Sequence, residues 1–198
     1  MTCIASWIEP DGTIYMGAES AGTNSAFHQT IRADQKLGSY RDMLMGFCGS
    51  YRMGQLLAHG LSVPPQVEAE DDYTYLVTAF IAGVRNTFRA GGWLLSDKGV
   101  EQGGTFLVAR RGRLFNVQSD FQVGEAVDNY AAVGSGGNFA LGTFYSDKNK
   151  EMPPVARIIS ALDSACHFNA ACKGPYVIKS ITKTGTITTH EVGEQEQH

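Results

Sequence analysis

Blocks of strand-like sequence alternate with pairs of helical patterns along this 198-residue chain, and this order constrains the fold more than any other feature. Residues 3–8 and 13–18 favour two strands, because the turn sequence Glu-Pro-Asp-Gly separates them at 9–12. Further strands are predicted at 31–37, 42–48, 105–110, 113–118, 121–123, 131–133, 176–181 and 186–191. Helices are predicted at 50–61, at 73–88, in a segment that reaches Tyr145, and from 153 to about Cys172.

This order predicts an α/β architecture in which two antiparallel sheets face each other with helices outside. A hydrophobic fraction of 43% and a charged fraction of 18% are typical of a folded globular chain of this length. We therefore expect one domain spanning 1–198. Gly38-Ser39 is predicted to form a hairpin turn, 19–30 a polar loop, and 192–198 a polar tail.

Charge and cysteine usage exclude several classes of protein. The net charge of −4, with no run of lysine or arginine, argues against a nucleic-acid or anionic-membrane surface. No stretch approaches the about 20 apolar residues of a membrane span, and the N-terminus lacks a signal-peptide pattern. Cys3, Cys48, Cys166 and Cys172 have no paired spacing, and on one helix the last two would face apart. Buried thiols in a reducing, cytoplasmic compartment are the expectation.

A threonine directly follows the initiator methionine. A second residue as small as Thr2 permits removal of Met1, which leaves Thr2 with a free α-amine. Its hydroxyl is a poor nucleophile until a base takes the proton, and an α-amine with a pKa of about 7.7–8.0 is such a base. Thr2 is therefore a candidate nucleophile that carries its own base.

Five segments of the chain resemble one known family. They are MTCIASWIEPDGTIYMGAESAGT, the stretch from Arg32 to Lys36, MGFCGSYRMGQLL, AAVGSGGNFALG and ALDSACHFNAACKGPYVI. In this order they are similar to proteasome β-type subunits and their bacterial relatives, the HslV, Anbu and BPH proteins. The resemblance implies an N-terminal-nucleophile (Ntn) hydrolase with a four-layer αββα sandwich. It also implies a threonine-type endopeptidase that cleaves peptide bonds inside a self-compartmentalised ring.

The resemblance assigns three residues to the reacting centre. Thr2 would attack the scissile carbonyl, with its own amine as base. Lys36 matches the family's active-site lysine, whose charge would lower the pKa of the hydroxyl and the amine of Thr2. Glu19 stands in the GAES segment where the family has an aspartate, and it would hold that lysine.

Five further residues take supporting roles by the same resemblance. Gly49 matches the glycine whose backbone N–H stabilises the oxyanion. Ser135 matches a serine that hydrogen-bonds near the N-terminal amine, and Asn169 stands where proteasomes carry an aspartate. Thr23 would pair through its backbone with an extended substrate, and Phe47 would line the primary specificity pocket.

HslV-type proteins coordinate a cation on the turn after the last long helix. The corresponding positions are Cys166, Asn169 and Cys172, whose backbone carbonyls could hold a hard cation. No cofactor is otherwise required by this reading.

Two alternatives to a peptidase remain open at this point. The first is a catalytically weak or non-catalytic assembly subunit of the same fold, against which the Thr2 and Lys36 pair argues. The second is a non-peptide amidohydrolase of the same fold, in which Cys3 would act only after an unusual cleavage behind Thr2. The resemblance leaves open the cleavage specificity and whether an ATPase unfoldase is a partner.

We also expect a homo-oligomer of stacked rings. The helical patterns at 50–61 and 73–88 carry more apolar residues than one stripe against a sheet requires. Phe80, Ile81, Val84 and Phe88 would then be exposed on a monomer and covered by a neighbouring subunit.

Overall fold

Antiparallel strands form most of the computed structural model, which describes residues 2–26 and 28–192. The strands, in chain order, are β1 (Ile4–Ile8), β2 (Ile14–Glu19), β3 (Ala21–Thr23), β4 (Gln29–Ile31), β5 (Leu37–Tyr40), β6 (Met43–Phe47), β7 (Leu95–Asp97), β8 (Val100–Gln102), β9 (Phe106–Arg110), β10 (Arg113–Val117), β11 (Val123–Glu125), β12 (Tyr130–Val133), β13 (Tyr176–Ile181) and β14 (Ile187–His190). Within the described residues they pair into two five-stranded sheets, β12-β1-β2-β13-β14 and β11-β10-β9-β6-β5, and two ribbons, β3-β4 and β7-β8.

The helices follow in two groups, as the sequence predicts. They are α1 (Tyr51–His59), α2 (Asp72–Tyr75), α3 (Ile81–Ala90), α4 (Gly137–Asp147) and α5 (Pro154–Phe168), with a π-helical segment, Leu76–Phe80, between α2 and α3. The Ser50 hydroxyl begins α1 by accepting the N–H groups of Arg52 and Met53. The helix α5 begins with Pro154, where the missing N–H has no intrahelical partner to lose.

Three groups of buried apolar residues hold these elements together. The first joins β6, β9 and β10 to α1 and α3, with Met45 and Val84 among its members. The second joins the other sheet to α4 and α5, through residues such as Leu162. The third contains residues of both sheets, including Ile4 of β1 and Leu107 of β9. Each sheet therefore contributes side chains to two different groups.

Several local predictions are wrong. Gly38-Ser39 lies inside β5, and the hairpin turns instead at Arg41, whose φ is 52°. The predicted polar loop at 19–30 contains β3 and the start of β4, and the β7-β8 hairpin has no predicted counterpart. The last long helix ends at Phe168, because Asn169 adopts an extended conformation. Of the predicted polar tail, residues 193–198 lie outside the described residues.

The aromatic face predicted to be exposed on the 73–88 helix is buried. Phe80, Val84 and Phe88 have no exposed surface, and Ile81 is 7% exposed. The chain after α1 covers them, because Val63 belongs to the same apolar group and Pro64 accepts a hydrogen bond from Tyr75. The apolar excess of this helix therefore packs internally and gives no support to an intersubunit surface.

Among the described residues, no helix combines the length and the apolar character needed to cross a membrane.

Candidate active site

A buried ion pair lies at the carboxyl end of β2. Glu19 is the last residue of β2 and Lys36 directly precedes β5, and their side chains are 0% and 1% exposed. The Lys36 ammonium pairs with Glu19 Oε1 and donates to the carbonyl oxygen of Ala21 at 2.7 Å. A buried charge requires such compensation, so each partner holds the other in place.

The Glu19 carboxylate also accepts backbone N–H groups from three parts of the chain. The N–H of Cys3 lies 3.3 Å from Oε1, and those of Ala21 and Lys173 lie 2.7 and 3.4 Å from Oε2. Lys36 and the amide of Cys3 therefore share one carboxylate oxygen. The structure thus brings the predicted lysine and its carboxylate to the residue next to Thr2.

Thr2 itself is held by the segment that precedes α4. Its N–H donates to Ser135 Oγ at 3.2 Å, and its carbonyl oxygen accepts the N–H of Gly136 at 3.1 Å. Gly134 has a φ of +96°, and a Cβ there would lie 2.1 Å from the Thr2 carbonyl oxygen. Only glycine fits both constraints, so Gly134 allows this close approach. Gly134 is the first residue of the GSGG motif, but no local sequence signal predicts this contact with Thr2.

An open cleft of about 260 Å3 begins at Thr2. Its lining residues include Gly49, Thr23 and Phe47. The resemblance predicts that Gly49 stabilises the oxyanion and that Thr23 and Phe47 bind the substrate. Gly49 has a φ of +93° and precedes the Ser50 cap of α1. Within the described residues its N–H donates no hydrogen bond, which leaves it available to a ligand in the cleft.

Contacts with other segments hold both Thr23 and Phe47 in the cleft lining. The Thr23 hydroxyl donates to the carbonyl oxygen of Ala171 at 3.2 Å, which ties β3 to the turn after α5. The N–H of Phe47 donates to the carbonyl oxygen of Lys36 at 3.1 Å. The Phe47 ring contacts Tyr51 edge-on, with centroids 5.7 Å apart. Tyr51 lines the cleft too, although no sequence signal distinguishes it from other helical aromatics.

Asn169 shapes the turn between α5 and β13. Its Oδ1 accepts the N–H of Ala171 at 3.0 Å, and its carbonyl oxygen accepts the N–H of Cys172 at 2.9 Å. The described contacts of Asn169 are thus within the turn, and its support of the reacting centre stays a prediction.

The cation predicted at Cys166, Asn169 and Cys172 finds no additional support. Among the described residues, no group of three or more His, Cys, Asp or Glu side chains is placed to hold a metal ion. The prediction concerned backbone carbonyls, and one of them, that of Asn169, already accepts the Cys172 N–H. Cation binding by these backbone carbonyls stays a prediction, and the proposed mechanism does not use it.

The four cysteines are free thiols with raised pKa values. Burial raises the pKa of Cys3 well above its usual value, that of Cys48 to about 11 and that of Cys172 to about 12. The sequence predicts that Cys166 and Cys172 face apart on one helix, but Cys172 lies beyond the end of α5. These thiols are protonated at neutral pH and are poor nucleophiles.

Solved structures provide the comparison that decides the fold. A Thiobacillus denitrificans BPH structure in complex with epoxomicin aligns with a TM-score of 0.73 at 19% identity, over 91% of this chain and 98% of that one. The chain has the fold of a bacterial proteasome homologue. An HslV from Trypanosoma brucei aligns with a TM-score of 0.65 at 16% identity, over 91% and 99% of the two chains. The Anbu (Gly-1) mutant from Hyphomicrobium sp. strain MC1 aligns with a TM-score of 0.69 at 15% identity, over 95% of this chain and 85% of that one.

The resemblance inferred from the sequence motifs is therefore confirmed at the level of the fold that the chain shares with BPH, HslV and Anbu. No protein-family model and no curated protein sequence matches the chain. At 15–19% identity the likeness concerns the fold, and the chemistry rests on the residues of this chain.

Proposed function

We propose that this protein is a threonine-type endopeptidase of the Ntn-hydrolase class, with Thr2 as its nucleophile after removal of Met1. One observation carries the proposal. The buried pair of Lys36 and Glu19 is tied to the backbone N–H of Cys3, the residue that follows Thr2, and Thr2 itself lines an open cleft. A buried cation beside a hydroxyl and an amine favours their nucleophilic, deprotonated forms.

The proposed reaction forms and then breaks an ester on Thr2. The α-amine takes the hydroxyl proton as Thr2 Oγ1 bonds to the scissile carbonyl carbon, and the Gly49 N–H stabilises the oxyanion. The proton passes to the leaving amine as the C–N bond breaks. Water then attacks the ester with the amine again as base, which releases the acid product and restores the Thr2 hydroxyl. Ser135, within 3.2 Å of the Thr2 nitrogen, orients the amine through these steps.

An extended peptide is the substrate that suits the shape of the cleft. Thr23 ends the short strand β3, and this strand and Gly49 lie along the same cleft. Backbone pairing of a substrate with β3 would place a carbonyl between Thr2 and the Gly49 N–H. This arrangement favours substrates that can present an extended segment to a sheet edge.

The non-peptide amidohydrolase with a Cys3 nucleophile is disfavoured. The Cys3 side chain has no exposed surface, and burial keeps its pKa well above the usual thiol value. Activation of a thiol requires the opposite shift.

The proposal includes a four-layer αββα arrangement within one domain. Its support is the distribution of buried residues, because each sheet packs against helices in one group and against the other sheet in the third. The residues of the reacting centre lie at the ends of strands, because Thr2 precedes β1, Glu19 ends β2 and Lys36 precedes β5.

The first test is covalent labelling after N-terminal processing. Intact-mass measurement should show loss of Met1 alone, and epoxomicin, the compound bound in the T. denitrificans structure, should form one adduct per chain. Peptide mapping should place the adduct on Thr2. A retained methionine in most molecules, or an adduct elsewhere, would contradict the proposal because the base or the nucleophile would be absent.

The second part of the proposal is that the protein assembles into rings. Its support comes from exposed aromatic residues of α4 and α5, because the aromatic face of the 73–88 helix is buried. The rings of Phe139 in α4 and Phe168 in α5 stack with their centroids 5.4 Å apart, and these residues are 38% and 65% exposed. An apolar patch of this kind is typical of an interface. Mass photometry is expected to give a homo-oligomer of about 12 or more subunits in closed rings. A stable, active monomer at 21.4 kDa would contradict the enclosed chamber.

A further inference from the structure

The cleft beside Thr2 has one permanently charged side chain among its described lining residues. Arg32 lies in this lining, together with the imidazole of His28 and uncharged groups. No aspartate or glutamate of the described residues lines the cleft, since Glu19 lies behind Thr2 and is 1% exposed. Arg32 is therefore the lining residue best suited to bind an anionic substrate side chain.

Three contacts fix the Arg32 side chain. Its stem passes over Gly22 of β3, where a Cβ would lie 2.8 Å from Arg32 Cδ. Its guanidinium lies over the Tyr51 ring, 3.8 Å from the centroid. Nε and Nη2 donate to the two carboxylate oxygens of Asp34 at 2.7 and 2.6 Å. An arginine held as a planar fork loses little further freedom when it binds an anion.

Asp34 leaves part of the guanidinium available. Asp34 occupies the Nε and Nη2 side and lines a neighbouring cavity, on the other side of Phe47 and Tyr51. Nη1 has no hydrogen-bond partner among the described residues, and the Arg32 side chain is 38% exposed. A substrate carboxylate can therefore bind Arg32 without displacing Asp34.

We propose that Arg32 is a specificity-determining residue and that the cleft selects peptides with an acidic side chain beside the scissile bond. This inference rests on the proposed peptidase function of Thr2. Because Arg32 packs on Gly22, it lies next to the strand along which a substrate would extend. A carboxylate there gains a charge-assisted hydrogen bond, whereas a lysine side chain meets a like charge.

The test is a series of fluorogenic peptides that differ only in the residue before the scissile bond. Glutamate and glutamine are nearly isosteric, so the ratio of their kcat/KM values isolates the charge. We expect a ratio of about ten or more in favour of glutamate, falling as NaCl is added. Lysine should be the poorest member of the series.

Three variants identify the residue responsible. Arg32→Met keeps the stem over Gly22 and Tyr51 and should bring the ratio close to one. Asp34→Asn removes the competing carboxylate and should raise the ratio above that of the unmodified protein. Arg89→Met is the matched control, because Arg89 is also an exposed arginine paired with a carboxylate, that of Glu101, and is remote from the cleft lining.

The outcomes separate the inference from the proposed function. Cleavage with no preference for glutamate, or a ratio unchanged in Arg32→Met, overturns the inference alone. No cleavage of any member, together with no epoxomicin adduct on Thr2, overturns both. Thermal unfolding of each variant within a few degrees of the unmodified protein shows that the ratios report on binding.

Discussion

Replacement of Thr2 by alanine is expected to lower peptide hydrolysis by about 10,000-fold or more and to abolish epoxomicin labelling. Without the nucleophile the covalent intermediate cannot form. When catalytic residues act as one unit, the loss of one of them removes most of the rate enhancement of all of them. Alanine is also small enough to permit removal of Met1, so the variant tests the hydroxyl separately from processing. Hydrolysis of fluorogenic peptides at a fixed concentration is the measurement.

Two controls complete this experiment. Thr2→Ser keeps a hydroxyl at the same position and should retain measurable hydrolysis and labelling. Thr189→Ala removes an exposed hydroxyl from β14 and should behave like the unmodified protein. Full activity in Thr2→Ala would place the nucleophile elsewhere in the chain and would remove the basis of the proposed mechanism.

Replacement of Lys36 by methionine is expected to destabilise the protein by about 3–5 kcal/mol as well as inactivate it. The Glu19 carboxylate would remain buried without its cation, and such a charge is costly to keep. Urea unfolding followed by circular dichroism measures the free energy of unfolding. Activity alone is uninformative for this variant, because an unfolded enzyme is also inactive.

The double variant Lys36→Met, Glu19→Gln separates the two effects. Removing both charges should recover most of the lost stability, since a neutral buried pair needs no counter-ion. Hydrolysis should stay at the level of Lys36→Met, because the cation that favours the deprotonated Thr2 is still missing. A double variant as active as the unmodified protein would show that Lys36 is only structural.

Local chemistry accounts for the parts of the fold that the sequence predicts well. The β1-β2 hairpin follows from Glu-Pro-Asp-Gly, and the start of α1 from Ser50, because both signals act within a few residues. The failures involve distant partners. The sequence predicts a hairpin turn at Gly38, but the pairing of β5 with β6 places the turn at Arg41. Phe80 is buried by the chain around Val63, and the periodicity of a helix cannot predict a contact with a segment outside that helix.

The residues of the candidate site also fall into two groups, those that sequence motifs predict and those whose positions depend on distant segments. Thr2, Lys36 and Glu19 were predicted because each lies in a motif that resembles the family. The close approach at Gly134 was not, since it requires the position of the Thr2 carbonyl from another segment. Arg32 belongs to one of the motifs that resemble the family, yet its place over Tyr51 follows only from the contact between the start of α1 and the segment after β4.

The turn at 169–173 sets when the reacting centre can form during synthesis. It accepts hydrogen bonds from the Ser20 N–H, the Thr23 hydroxyl and the Gln29 side chain, and it supplies the Lys173 N–H to Glu19. At translation rates of about 5–20 residues per second, this turn leaves the ribosome about 10–35 s after Thr2. The emerging chain therefore carries its nucleophile long before the carboxylate behind it is fully held. The contacts of the Glu19 carboxylate are therefore incomplete until the chain has been made as far as Lys173.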